Sequence, residues 1–168
     1  MKGLQWVLLI GAVCLQVFTG ESIKQKNNNK FYKGNYIKYP PFLKYLKDEK
    51  PELKLASFSS WMDINKYIMW DYIDYAPVED RDLPDSIIEN NILTMLNVAN
   101  VDVYDATFVH LEDVDHYGHL NKFTKKNSTC TDAIKRKDDF IKNILYYRTK
   151  KKTIQWRLVS HYFNRPRW

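Results

Sequence analysis

Three of the chain's four histidines fall in one ten-residue run, His110-Leu111-Glu112-Asp113-Val114-Asp115-His116-Tyr117-Gly118-His119. Carboxylates and imidazoles are the usual oxygen and nitrogen ligands of zinc. The run follows the apolar segment Ala106-Thr107-Phe108-Val109, so the sequence reads as a buried strand opening into a ligand-bearing loop. Asp115 and His119 lie four apart, and Gly118 between them is expected to permit a tight turn that brings both side chains to one point. His116 and Tyr117 are expected to point elsewhere. Zinc takes three or four ligands, so D-x-x-x-H by itself reads sooner as a polar loop with hydrogen-bonded histidines than as a metal site.

The elements that must position this run follow from periodicity. Pro41 suits the first turn of a helix reaching about Lys47, with Phe42, Leu43, Tyr45 and Leu46 available for burial and Pro51 ending any continuation. Leu53 to Phe58 alternates as a short strand. Ser59-Ser60-Trp61 forms a turn, and Met62 to Trp70 carries Ile64, Tyr67 and Ile68 at helical spacing. Tyr75 to Pro84 is acidic, contains prolines and reads as a surface loop. Ser86-Ile87-Ile88-Glu89 has the form of a capping box, opening a helix to about Asn100 that buries Ile88, Ile92, Met95, Leu96 and Ala99. Beyond the His-rich run, a helix from about Asp132 is expected to bury Ile134, Ile141, Ile144 and Leu145, with Asp138 and Lys142 paired outside. Thr153 to Ser160 is a last strand. Helices alternating with short apolar strands predict an α/β fold, a partial three-layer α/β/α sandwich on a mainly parallel sheet, with strands 53–58, 106–111 and 153–160 side by side. In such sheets chemistry sits at the carboxyl ends of the strands, where Asp115 would lie.

The first twenty residues have the parts of a secretory signal: Lys2, a mostly apolar stretch from Trp6 to Phe18, and small residues Thr19-Gly20 before Glu21. A span needs roughly 20 apolar residues, so no membrane span is expected and the product reads as secreted. Removing residues 1–20 from the 168 leaves one domain's worth of chain and lowers the formal charge from +6 to +5 by loss of Lys2. Residues 21–39, rich in Asn, Lys and Tyr, read as a flexible lead-in, residues 40–160 as the α/β domain and 161–168 as an unmatched tail. Cys14 leaves with the signal, so Cys130 is expected as a free thiol or an intermolecular link. Asn127-Ser128-Thr129 is a glycosylation sequon, which requires an exposed loop. The basic residues of the last third, including Lys150-Lys151-Lys152, read as a solvated surface or as a site for a phosphate-bearing ligand.

The stretch Thr107 to His119 resembles the metal-ligand segment of the alkaline phosphatase superfamily in its type I phosphodiesterase / nucleotide pyrophosphatase branch, where a buried strand is followed by acidic residues and then D-x-x-G-H. Upstream, Pro51 to Trp61 resembles that branch's strand and Trp-containing turn; downstream, Asp132 to Leu145 resembles its helix with a central Asp. The resemblance spans about residues 40–160. It implies that Asp115 and His119 bind one of two zinc ions, and that His161 stands for the His of a second pair, with Ser160 where an Asp is expected and Tyr162 where a Gly is expected. The family's nucleophile and first Asp would fall in or before the signal, and its distal His beyond Trp168. Two-metal phosphoryl transfer needs both ions. The expectation is therefore a truncated relative with one weak zinc and no independent catalysis. The rivals are a hydrolase completed by a partner chain, with Ser59, Ser60 or Ser160 as local nucleophile, and a secreted binding protein for phosphate-bearing partners. Self-association through exposed sheet edges or Cys130 is expected of such a fragment.

Overall fold

The computed structural model describes residues 5–10, 34–77, 81–97, 104–150 and 157–160. Its parallel sheet has four strands, β1 (Gln5–Ile10), β2 (Leu55–Ser59), β3 (Ala106–Leu111) and β4 (Arg157–Ser160), in the order β2-β3-β1-β4. The helices are α1 (Phe42–Glu49), α2 (Asp85–Asn97), α3 (Asp113–Asn121) and α4 (Ser128–Lys150). Between β2 and α2 runs an irregular helical stretch, one α turn at Met62–Ile64, a π turn at Asn65–Met69 and a 3-10 turn at Trp70–Tyr72.

Every residue of β2 and β3 is buried, the pattern of parallel strands covered on both faces. Their side chains alternate between two cores. Ala56, Phe58, Val109 and Leu111 meet Ile88, Ile92 and Leu96 of α2 and Phe140 and Ile144 of α4. Leu55, Ala106 and Phe108 face the other way, onto Leu43 of α1 and Ile64, Ile68 and Met69 of the irregular stretch. The fold is thus an α/β sandwich with helices on both faces of a parallel sheet.

Three expectations about the sheet change. The strand at 106–111 pairs with that at 55–59 but is not adjacent to that at 157–160, because β1 inserts between β3 and β4, with Gln5 level with Ala106 and Arg157. The residues read as a secretory leader supply that strand; a continuous apolar run serves either role, and a cut after Gly20 would remove it. The outer edge of β2 is not exposed. Asp74 and Tyr75 cover it, the backbone N–H of Ser57 donating to Tyr75 O at 2.9 Å and that of Asp74 to Leu55 O at 2.7 Å. The remainder of the leader, the lead-in from 21 to 33, Ala99, residues 151–156 and the tail 161–168 lie outside the described residues.

Helix faces also shift. In α4 the inward positions are Ala133, Lys137, Phe140 and Ile144, so Ile134 is turned outward and is 51% exposed. Tyr45 is likewise exposed on α1. No helix of the described residues is long and apolar enough to cross a membrane.

Candidate functional site

The carboxyl ends of β2 and β3 carry a buried polar network. Asp85, the first residue of α2, accepts hydrogen bonds from the backbone N–H groups of Glu112 (2.8 Å) and Asp113 (2.9 Å), and from the Ser60 hydroxyl. One carboxylate thereby caps the entrance of α3 and ties it to the turn after β2. Lys137 reaches Asp85 Oδ2 at 2.8 Å, Glu89 Oε1 at 2.5 Å and Asp113 Oδ2 at 3.1 Å. Burial pulls the Lys137 pKa down, but its three carboxylate partners outweigh this and the net direction is up. Burial likewise works to raise the Asp85 pKa, and Lys137, Ser60 and the two backbone donors bring it below the ordinary carboxylate value. Glu89, read as half of a capping box, is therefore committed to Lys137. Hydrophobic periodicity does not mark this network; its signal in the sequence is a lysine in phase with Ala133, Phe140 and Ile144 on the inward face of α4.

His110 belongs to this buried region, whereas His116 and His119 lie on α3. It points from β3 toward Ser59, whose Oγ lies 3.3 Å from Nδ1 while donating to Trp61 O at 2.8 Å. Burial pushes the His110 pKa down to about 4, against a smaller opposing pull from Asp85. Ser59 and Ser60 are 3% and 1% exposed, so neither hydroxyl is presented to a substrate. The side chain of Ser160, the other candidate nucleophile, falls outside the description.

The expected His-rich loop is a helix. Asp115 and His119 sit in the first and last turns of α3, so their i, i+4 spacing, and not a turn at Gly118, puts both on one face. His119 Nε2 stands 3.4 Å from Asp115 Oδ2, with the histidine 72% exposed and the carboxylate 23%. Two donors each about 2.0 Å from a tetrahedral zinc stand roughly 3.3 Å apart, so the pair fits two corners of one zinc shell. The other carboxylate oxygen, Asp115 Oδ1, is buried without a hydrogen-bond partner. Among the described residues no cluster of three or more His, Cys, Asp or Glu side chains could hold a metal. His161 lies outside them.

Gly118 has a different use from the one expected. It is buried within α3, and a Cβ there would collide with the Phe123 ring. The same ring meets His119 edge-on, centroids 5.3 Å apart at 82°. The chain returns onto α3 because Lys122 takes φ 67° and ψ 147° directly after the helix.

Asn127 does not sit in an exposed loop. It is 8% exposed and precedes α4, where its Oδ1 accepts from Cys130 N (3.2 Å) and Thr129 Oγ1 (2.7 Å). Its Nδ2 donates to Tyr117 O (3.0 Å) and Lys122 O (2.8 Å), so a glycan on that nitrogen and this arrangement exclude each other. Cys130 is a free thiol but is buried, 3.8 Å from Val114 O, so cross-linking through it requires local opening.

No protein-family model matches the chain, and a search of curated proteins finds no match.

Proposed function

We propose that this chain is a relative of the type I phosphodiesterases that retains half of one zinc site and has no independent catalytic activity. The observation that carries the reading is the 3.4 Å between Asp115 Oδ2 and His119 Nε2, on the helix that follows the carboxyl end of a parallel strand. The other oxygen of the same carboxylate, Asp115 Oδ1, has no hydrogen-bond partner and leaves that group acceptor capacity to spare. Two protein ligands completed by water would bind zinc weakly. A zinc held there would act as a Lewis acid on a bound phosphate oxygen, and Asp115 and His119 would fix its position. Export is part of the proposal, on the pattern of Lys2, Trp6 to Phe18 and Thr19-Gly20; the pairing of β1 inside the sheet weighs against its removal once the chain has folded.

Calorimetric zinc titration of the full chain, with an aryl phosphodiester hydrolysis assay, tests this reading. One weakly bound zinc is expected, lost in both Asp115→Ala and His119→Ala, with hydrolysis at background. Zinc-dependent hydrolysis abolished by either substitution would replace the proposal with an active hydrolase. Zinc uptake indifferent to both would reduce the pair to a surface contact.

A further inference from the structure

We infer that Asn127 is a positioning residue for His119, acting through Phe123. The inference rests on the zinc reading for its metal readout only. Three observations form the chain of contact. The Asn127 amide donates to Tyr117 O inside α3 and to Lys122 O just after it, holding the helix end and the reversed segment together. Lys122, at φ 67°, turns the backbone so that the next residue comes back over the helix. Phe123 then fills the space that Gly118 leaves by having no Cβ, and presents its ring to the imidazole of His119 at 5.3 Å.

The physical need for this device is clear from exposure. His119 is 72% exposed in the last turn of α3, where an imidazole has several staggered rotamers open to it. Only the rotamer facing Asp115 places Nε2 on the shared side. An edge-to-face aromatic contact contributes about 0.5–1.5 kcal/mol, enough to favour one rotamer several-fold. Polar groups that orient a metal-binding histidine from the next layer out work by the same logic, and losing one costs roughly 10–100-fold in metal affinity. Asn127 stands one step further back, holding the ring that does the orienting.

Asn127→Asp is the informative variant. It keeps the Oδ1 acceptor that caps α4 and replaces the donor with an oxygen facing two carbonyls. Nuclear Overhauser contacts between the His119 and Phe123 rings are read without metal, and zinc affinity is read by calorimetry. The wild-type chain should give the ring contact. Asn127→Asp should lose it, and zinc affinity should fall about tenfold. Gly118→Ala is the second variant, because alanine favours a helix yet its Cβ must dislodge the ring; it should lose the contact and the affinity while helix content holds. Retention of the ring contact in a folded Asn127→Asp chain overturns the inference, and so does unchanged contact in Gly118→Ala if Asn127→Asp does not fold. Should the wild-type chain take up no zinc, the metal reading fails and the ring contact alone decides the role of Asn127.

Discussion

Lys137 and Asp85 meet at 2.8 Å with side chains 3% and 1% exposed, a fully buried ion pair joining the middle of α4 to the start of α2. Because Asp85 also holds the N–H groups of Glu112 and Asp113, this pair links both helices to the entrance of the one that carries Asp115 and His119. Removing one partner of a buried pair strands the other charge in a medium that solvates it poorly, at a cost of about 3–5 kcal/mol. Lys137→Met would leave Asp85, Glu89 and Asp113 facing one another and should lower unfolding stability by about that amount. Asp85→Asn should be nearly as damaging, while the double substitution should recover part of the loss. Urea unfolding of the four chains gives the coupling energy, and additive losses would mean that the two side chains act independently.

His110 makes stability depend on pH in a definite window. Its folded pKa, near 4 through burial, lies below the ordinary value of 6.5, so the unfolded chain takes up a proton first as pH falls. Its contribution is complete above 6.5, shrinks as pH drops from there toward 4, and amounts to about 3 kcal/mol across that interval. Asp85, with a depressed folded pKa, is lost separately and only below the ordinary carboxylate value. Urea midpoints at pH 7 and pH 4.5 should differ more for the wild-type chain than for His110→Gln. Equal differences in the two chains would show that His110 is not the group responsible.

Lys122 pays a conformational penalty, its φ of 67° and ψ of 147° falling near a region occupied almost entirely by glycine. Lys122→Gly should therefore raise stability by about 1 kcal/mol despite the greater freedom it gives the unfolded chain. Lys122→Val, branched at Cβ, should lower it. A glycine variant less stable than wild type, measured by urea unfolding, would mean that the lysine side chain contributes more than its backbone costs.

Strand β3 was legible as a mostly apolar run, β2 from the alternation of Leu53 to Phe58 although both of its faces are buried, and α2 because Ile88, Ile92 and Leu96 keep one face. Asp115 and His119 were legible as a pair, but not their helix. In α3 only Gly118 is buried, so no apolar period marks it, and a glycine whose missing Cβ makes room for Phe123 looks in sequence like a glycine that makes a turn. The inward face of α4 was misread for a related reason. Hydrophobicity alone selects Ile134 over Lys137, whereas the three carboxylates that make a buried lysine tolerable come from α2 and α3 and are brought to it only by the fold.

The last expectation concerns β1, whose residues are both a central strand and the apolar part of the proposed export signal. In the sheet it pairs with β3 on one side and β4 on the other, so a chain starting at Glu21 would expose one edge of β3 and lose the strand that joins β4 to β3 among the described residues. An exposed parallel edge offers unpaired N–H and C=O groups to another chain. The Glu21 form should therefore unfold at lower urea concentration than the full chain and elute as a self-associated species in size-exclusion chromatography. Amino-terminal sequencing of the product from a secreting host reports which form export yields, with a start near Glu21 expected. A start at Met1 in cell-associated protein would end the secretory reading, and equal stability of the two forms would show that β1 contributes nothing to the folded sheet.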